Sequence, residues 1–251
     1  MAKNNDKNIA TLCERMSFTS REAYKMLRTN VLFTLADNDK CKKIGVTSPV
    51  HGEGKSTVAI NLAYTLAVSN SKVLLIDMDM RLPSIAKKLG VERYKVGLSD
   101  YLINGVSQND LIHNIGSFKN FSIITAGAIP PNPSELISSE KLKKFITSLE
   151  EYYDFIIFDL PPVNVVTDAL AAKELMDGQL VVVREGYSDK FALSDCMRQL
   201  DFVEMNVLGF VYVNAGSNDT YYGKHYYSYK YKNQYYYKKK NNDWFPYSHL
   251  T

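Results

Sequence analysis

A lysine and two hydroxyl residues follow two closely spaced glycines at positions 52–57, which read Gly-Glu-Gly-Lys-Ser-Thr. Glycine lets the backbone turn its N–H groups inward, and a helix that starts there adds the positive end of its dipole. The lysine of such a loop can reach the β- and γ-phosphates of a nucleotide, and the serine hydroxyl can hold Mg2+. The pattern predicts a nucleotide phosphate site formed by six residues: Gly52, Glu53, Gly54, Lys55, Ser56 and Thr57.

The sequence around the loop bears on this prediction in two ways. The loop joins an apolar, strand-like stretch at 44–47 to an apolar, helix-like stretch at 58–68, as a phosphate-binding loop should. Against it, Pro49 stands where the pattern G-x-x-x-x-G-K-[ST] has its first glycine. A chance match of this length forms an ordinary solvated turn, so the rest of the chain has to decide.

Acidic residues follow the next apolar stretch. Residues 72–77 read Lys-Val-Leu-Leu-Ile-Asp, which is typical of a buried parallel strand. If the chain stays extended beyond them, the side chains of Asp77, Asp79 and Arg81 point the same way, because strand side chains alternate with period two. Two carboxylates and a guanidinium then share one small volume. Alternatively, Asp79 begins a turn or caps a short helix after Pro83.

A second apolar stretch also ends in an aspartate. Residues 154–158 lead into Asp159 and two prolines, the arrangement of a Walker B strand whose carboxylate lies in the Mg2+ shell. Asp168 opens the next predicted helix and is interpreted as a helix-start charge rather than a ligand. The loop at 129–136 holds three prolines, and it either borders the nucleotide or only connects two elements.

Apolar strands alternate with helices up to residue 214. About six strands are predicted, at 44–47, 72–81, 121–127, 154–159, 179–184 and 207–214. One helix opens with a Thr19–Glu22 capping box, and another is capped by Ser134 and runs to about Tyr152. The alternation predicts an α/β, P-loop NTPase-like fold, with a mostly parallel sheet, helices on both faces and ligands at the carboxyl ends of the strands. The loop and the aspartates lie at those ends, which favours the nucleotide interpretation.

Composition is consistent with one folded domain at 1–214. The 251-residue chain is 45% hydrophobic and carries a net charge of +3, an ordinary balance for a soluble protein. Its three cysteines lack paired or metal-type spacing, and no apolar run approaches the roughly 20 residues that cross a bilayer. We therefore expect a cytosolic protein without a disulfide framework.

Residues 215–251 differ in composition from the rest of the chain. They hold ten of the 18 tyrosines and six lysines, but only two acidic residues. Residues 215–240 contain no Val, Ile or Leu, so this segment cannot bury enough apolar surface to offset the entropy of ordering. We predict a flexible tail. A basic, aromatic tail could also bind nucleic acid or polysaccharide by stacking and charge.

Together these residues resemble the bacterial tyrosine kinases, in particular the cytoplasmic subunits of the two-protein type that accompany polysaccharide export in Gram-positive bacteria. The resemblance covers nearly the whole chain and rests on four motifs: the variant Walker A loop at 52–57, the Walker A′ run at 74–81, the Walker B residues 159–162 and the terminal tyrosine cluster. Within a helix predicted at 17–36, Glu22, Lys25 and Arg28 are similar to the family's E-x2-R-x2-R oligomerisation motif. Lys25 stands where arginine is usual, and lysine cannot form arginine's planar bidentate fork.

The resemblance implies an ATP- and Mg2+-dependent protein tyrosine kinase. In this hypothesis Lys55 stabilises charge on the β- and γ-phosphates, Ser56 ligates Mg2+ and Thr57 binds the α-phosphate. Positioning and electrostatics, rather than covalent catalysis, would account for most of the rate.

The acidic residues and Arg81 complete the implied site. Asp77 orients or deprotonates the substrate tyrosine, a phenol whose pKa of about 10 keeps it protonated at neutral pH. Asp159 orders the water shell of the metal, Asp79 binds the metal or its waters, and Arg81 contacts phosphates. The predicted metal shell then draws on four residues: Ser56, Asp77, Asp79 and Asp159.

The tail becomes the substrate in this hypothesis, phosphorylated in trans by a neighbouring subunit. Nine phosphoacceptors lie within 221–237: Tyr221, Tyr222, Tyr226, Tyr227, Tyr229, Tyr231, Tyr235, Tyr236 and Tyr237. The resemblance further implies a ring-like homo-oligomer, a transmembrane activator that recruits the chain to the inner face of the membrane, a cognate tyrosine phosphatase and no nucleic acid ligand.

Two other functions stay open on the sequence alone. One is a MinD/ParA-like ATPase switch, although such proteins carry an early P-loop lysine in K-G-G-x-G-K and Val50 occupies that place here. The other is a weakly catalytic scaffold that needs ATP only for structural support. The H-R-D and D-F-G motifs of eukaryotic-type kinases do not occur.

Overall fold

The computed structural model describes residues 16–36, 40–91, 94–115 and 118–214. Its seven-stranded sheet has the strand order β3-β4-β2-β5-β1-β6-β7. The strands are β1 (Lys42–Thr47), β2 (Val73–Asp77), β3 (His113–Ile115), β4 (Phe118–Ile124), β5 (Phe155–Asp159), β6 (Gly178–Arg184) and β7 (Val207–Val213). The predicted α/β, mostly parallel architecture is confirmed.

One strand was not predicted from the sequence. The edge strand β3 pairs antiparallel with β4, whereas the other strand pairs are parallel. It is three residues long, and its sequence His-Asn-Ile has no apolar run or alternation to mark it. Pairing with β4, rather than local propensity, defines this strand.

Helices cover both faces of the sheet. They are α1 (Phe18–Thr34), α2 (Lys55–Val68), α3 (Ile85–Lys88), α4 (Leu98–Asn104), α5 (Gln108–Leu111), α6 (Pro133–Ile137), α7 (Glu140–Leu149), α8 (Asp168–Ala171) and α9 (Lys190–Phe202), with a 3-10 turn at Lys173–Leu175. Apolar side chains of α1, α2 and α3 pack in one core cluster, and those of α4 to α9 pack in a second. In β2, Leu75 belongs to the first cluster and its neighbours Leu74 and Ile76 to the second, as a doubly covered strand requires.

The N-cap of the N-terminal helix lies two residues before its predicted position at Thr19. The N-cap is Ser17, whose hydroxyl accepts a hydrogen bond from the Ser20 N–H at 3.1 Å. The predicted Thr19–Glu22 capping box is therefore wrong. Val31 within this helix and Leu35 directly after it are buried.

The helix predicted from Ser134 to about Tyr152 is two helices. Between α6 and α7, Ser139 caps the second helix, because its hydroxyl accepts from the Leu142 N–H at 3.2 Å. A serine hydroxyl that competes for a backbone donor favours a helix start over a helix interior. The first helix begins at Pro133, not after a Ser134 cap.

The described cysteines are buried and free, as a chain without disulfides requires. Burial raises the pKa of the Cys41 and Cys196 thiols to about 12, so neither thiolate forms near neutral pH. Across the described ranges, the helices are too short or too polar to span a bilayer. The tyrosine-rich tail predicted at 215–251 lies outside the described residues.

We expect Ser139→Ala to lower the free energy of unfolding by about 1 kcal/mol, since it removes the α7 N-cap. For a chain of this size that loss lowers Tm by about 2–4 °C in a thermal melt followed by circular dichroism. The control is Ser138→Ala, because the Ser138 hydroxyl donates only to carbonyls of the preceding turn. Equal losses in the two variants would contradict the capping role.

Candidate active site

The glycine-bearing loop is an anion cradle at the carboxyl end of β1. Gly52 and Gly54 have φ angles of +82° and +94°, in the left-handed region that disfavours other residues. Gly54 is the N-cap of α2, and no side chain satisfies the first backbone donors of that helix. Free N–H groups at a helix N-terminus bind phosphate without further adjustment. The predicted phosphate site therefore has the backbone geometry that it needs.

The Glu53 carboxylate does not face this cradle. It is fully buried, and its two oxygens accept hydrogen bonds from the Val50 N–H at 3.1 Å and from the Ser188 hydroxyl. The Arg184 guanidinium donates to the Gly52 carbonyl at 3.0 Å on the same loop. The predicted phosphate-binding set included Glu53, but its side chain braces the loop. Phosphate would repel the Glu53 carboxylate, and both oxygens of that carboxylate already accept hydrogen bonds.

The Lys55 ammonium lies between two carboxylates from different strand ends. Its Nζ is 2.8 Å from Asp79 Oδ2 and 3.6 Å from Asp159 Oδ1. Burial alone would lower the pKa of Lys55, but the charges of Asp159 and Asp79 outweigh it and hold the pKa above its usual value. The lysine therefore stays charged when it meets a nucleotide.

Asp77 occupies the last position of β2 and caps a helix. Its Oδ2 accepts from the Ser84 and Ile85 N–H groups at 3.2 and 3.1 Å, at the start of α3, and its Oδ1 accepts from the Asp79 N–H. The alternative prediction that Asp79 caps this helix is wrong. Asp79 Oδ1 instead accepts from the Leu82 N–H at 3.0 Å and so begins a turn, as predicted, while its other oxygen holds Lys55.

Asp159 lies beside Asp77, because β2 and β5 pair in parallel with these two residues in register. It is fully buried, and neither of its carboxylate oxygens forms a hydrogen bond. Burial raises the pKa of Asp159, and Lys55 offsets only part of that rise. Burial also raises the pKa of Asp77 well above its usual value, and the charge of Asp159 adds to the effect.

Mg2+ would suit these two unbonded oxygens. In the described ranges, no three His, Cys, Asp or Glu side chains are placed to hold a metal ion by themselves. Mg2+ characteristically takes one or two carboxylates, keeps several waters and completes its shell with substrate phosphates. Asp159 and the Ser56 hydroxyl at the start of α2 fit such a partly solvated shell.

Arg81 is paired with Asp168 rather than with the carboxylates of this cluster. Its Nε and Nη2 donate to the two oxygens of Asp168 at 2.8 and 3.1 Å, and its Nη2 reaches the Ser134 hydroxyl at 3.3 Å. The expected shared direction with Asp77 and Asp79 is wrong, because β2 ends at Asp77 and the chain turns at Asp79. Contact between Arg81 and phosphates stays a prediction.

Asp168 is the first residue of α8, as predicted, but it is fully buried rather than a solvated helix charge. It accepts from the Ser134 hydroxyl as well as from Arg81. The proline-rich segment that holds Ser134 therefore contacts the Arg81–Asp168 pair, and contact between this segment and the nucleotide stays a prediction. No local sequence pattern predicts the contact between Ser134 and Asp168, because these residues lie 34 positions apart.

The three residues of the oligomerisation motif divide between two faces of α1. Lys25 Nζ lies 2.7 Å from Glu22 Oε1, and both side chains are solvent-exposed. Arg28 Nη1 donates to the Thr65 carbonyl of α2 at 2.8 Å. Glu22 and Lys25 are thus available to a neighbouring molecule, while Arg28 joins α1 to the helix that follows the phosphate loop.

A parallel sheet with a phosphate loop after β1 and carboxylates after β2 and β5 defines a P-loop nucleotide-binding protein. The sequence matches the family model for the AAA domain over residues 41–208. It is 35% identical to the tyrosine-protein kinase YwqD of Bacillus subtilis, over 81% of this chain and 84% of that protein. The chain belongs to the bacterial tyrosine kinase family, in the short form found in Gram-positive bacteria.

Solved structures agree with this assignment. The chimerical protein CapA2B2 superposes with a TM-score of 0.74 at 32% identity, covering 82% of this chain and 89% of that one. The septum site-determining protein MinD of Pyrococcus horikoshii, solved with Mg-ADP, gives a TM-score of 0.59 at 28% identity, over 71% of this chain and 72% of that one. MinD thus shares the fold, but CapA2B2 matches more of the chain and superposes on it with a higher TM-score.

We expect Asp159→Asn to raise Tm at pH 8 by about 2–4 °C, equivalent to about 1 kcal/mol. Because the folded-state pKa of Asp159 is raised, the native state binds more protons than the unfolded state, and stability falls as pH rises through that pKa. The gain should shrink as pH falls through the raised folded-state pKa, because the carboxyl then becomes protonated in the folded protein. Melts across this range test the sign, with the exposed Asp110→Asn as control. A lower Tm for Asp159→Asn at pH 8 would refute the argument.

Proposed function

We propose that this chain transfers the γ-phosphoryl group of ATP to tyrosine hydroxyls of its own C-terminal cluster, in trans. The observation that carries the proposal is the buried Lys55 ammonium, held by Asp79 and Asp159 at the mouth of a phosphate cradle. A charged lysine at the start of α2 is placed for the β- and γ-phosphates. Membership of the tyrosine kinase family supports tyrosine as the acceptor.

In the proposed step the phenolic oxygen attacks the γ-phosphorus, and the bond from that phosphorus to the β,γ-bridging oxygen breaks. The electron pair of the broken bond stays on the bridging oxygen of the leaving ADP. The phenolic proton passes to Asp77. Lys55 neutralises charge that develops on the β- and γ-phosphates, and Thr57 binds the α-phosphate. Bound Mg2+ would supply further charge stabilisation for the phosphate oxygens. Its proposed protein shell is Ser56 and Asp159, with Asp77 and Asp79 acting directly or through water.

The raised pKa of Asp77 suits a proton acceptor. A carboxylate whose pKa is raised accepts a phenolic proton more readily than an ordinary aspartate does. Burial beside Asp159 is the physical source of that shift. Arg81, now paired with Asp168, is proposed to contact phosphates only when that ion pair opens.

The composition of the tail suits a substrate. Nine tyrosines lie between residues 221 and 237, among lysines and small polar residues. Each phosphate adds about −1.5 to −2 charges, so about three of them reverse the sign of this basic segment. Reversal would repel the tail from a site rich in carboxylates and would repel neighbouring tails from one another. Phosphorylation would thereby dissolve the assembly that makes it possible.

We further propose a ring-like homo-oligomer in which the exposed Glu22 and Lys25 contact a neighbouring subunit. The likeness to CapA2B2 supports a partner that brings the chain to the inner face of the membrane. That partner would be a transmembrane activator, with a cognate phosphatase to reverse the modification and polysaccharide export as the regulated process.

The second candidate is an ATPase switch, and the MinD likeness is the observation that favours it. Incubation with γ-labelled ATP and Mg2+ separates the two. Label on tyrosine supports the kinase, and free phosphate without protein label supports the switch.

Transfer in trans is tested by mixing two variants. Lys55→Met removes the phosphate-binding ammonium but keeps the tail tyrosines, whereas the second protein keeps Lys55 and has phenylalanine at all tail tyrosines. We expect phosphotyrosine on the Lys55→Met chain, mapped by mass spectrometry, only when both proteins are present. Lys87→Met, a change at an exposed lysine, is the matched control and should label itself. An unlabelled Lys55→Met chain beside a self-labelling wild type would exclude transfer in trans.

The role of Asp77 predicts a pH dependence. Below its pKa the carboxyl is protonated and cannot accept the phenolic proton, so the single-turnover rate should fall as pH decreases through that value. Because the folded-state pKa is raised, the acidic limb should lie above the usual aspartate range of about 4. Asp77→Asn should lower the rate by at least about 100-fold, whereas the exposed Asp110→Asn should not. An acidic limb at about 4 would rule out Asp77 as the base.

A further inference from the structure

A lysine outside every motif reaches the phosphate loop. Lys88, the last residue of α3, donates from Nζ to the Thr57 hydroxyl at 3.3 Å. Thr57 is the third residue of α2, directly after Lys55 and Ser56, and its hydroxyl is the group proposed for the α-phosphate. The ammonium of Lys88 therefore lies at the edge of the cradle, on the side of Thr57.

The short helix that carries Lys88 is fixed at both ends. Asp77 accepts from the first backbone donors of α3, at Ser84 and Ile85. Ile85, the first residue of the helix, and Leu89, which follows its last residue, are buried in the same core cluster as the apolar residues of α2. The Lys88 backbone is thus held against α2, so the ammonium needs only its own side-chain rotation to reach the cradle.

The interaction of a cation with the helix dipole explains why lysines occur at the C-terminus of α3, but it does not explain the direction of their side chains. Lys87 and Lys88 both lie in the last turn, where a cation offsets the helix dipole. Lys88 also donates a hydrogen bond to the Thr57 hydroxyl. The Lys55 charge, by contrast, is already shared between Asp79 and Asp159. A bound nucleotide brings further negative charge that these groups do not neutralise.

We propose that Lys88 is a further nucleotide-binding residue, whose ammonium contacts a non-bridging oxygen of the α-phosphate beside the Thr57 hydroxyl. Its ligand class is a nucleoside 5′-di- or triphosphate. The inference rests on the proposed function for the site, but it concerns binding and not phosphoryl transfer. In the structure the Thr57 hydroxyl is the hydrogen-bond acceptor of the Lys88 ammonium.

The test measures binding of mant-ADP by fluorescence to the full chain, without any turnover. We expect Lys88→Ala to weaken binding about 5- to 20-fold, Lys88→Arg to restore most of it, and Lys87→Ala to change it less than 2-fold. Thermal melts of the three variants should coincide with wild type, since each residue is exposed. Equal affinities for Lys88→Ala and Lys87→Ala would overturn the proposal.

Sulfur substitution locates the contact. The two diastereomers of ADPαS place sulfur at one or the other non-bridging position of the α-phosphate, and an ammonium prefers oxygen. We expect wild type to bind one diastereomer more tightly and Lys88→Ala to lose that preference. Unchanged discrimination in Lys88→Ala would place Lys88 elsewhere. Wild type that binds mant-ADP but never labels tyrosine would refute the kinase proposal alone, whereas failure to bind mant-ADP would refute both.

Discussion

One buried ammonium among three carboxylates governs this site. Taking a lysine and several aspartates out of water costs several kcal/mol for each ion, and mutual attraction offsets that cost only where the geometry is close. Lys55 meets Asp79 at 2.8 Å, but Asp159 only at 3.6 Å, and Asp77 accepts its hydrogen bonds from backbone N–H groups. Three carboxyl groups therefore share one ammonium. A metal–nucleotide complex, which brings both signs of charge, is the natural counterpart of such a cluster.

The sheet fixes where these charges meet. Asp77 and Asp159 face each other because β2 and β5 are parallel and in register, and β1 on the other side of β5 leads into the phosphate loop. A shift of one residue in either strand would turn a carboxylate from the site toward the opposite face. The apolar residues that lock the register, such as Leu75 and Ile157, thus position the chemistry without touching it.

The sequence was sufficient for the parts of the site that follow from strand ends. Apolar runs that stop at Asp77 and Asp159, and glycines before Lys55, required only the rule that ligands gather at the carboxyl ends of parallel strands. The contacts that it did not predict depend on where loops return. The Asp77 cap on α3, the Arg81–Asp168 pair and the Glu53 brace each join residues whose proximity no periodicity encodes. Edge strand β3 and the start of α7 at Ser139 were missed because short polar segments take their structure from neighbours.

The brace beneath the phosphate loop determines when the loop is ordered. Arg184 and Ser188 hold Gly52 and Glu53 from 132 and 135 positions away in the chain, and Tyr187 packs against Gly52. The conformational entropy of the cradle is therefore lost during folding and not at the moment of binding, which is the benefit of a preorganised site. The connection between β6 and α9, which contributes no motif residue, therefore helps to hold the loop in its conformation. If these contacts were lost, the loop would be less ordered, and a binding nucleotide would have to offset the entropy of ordering it.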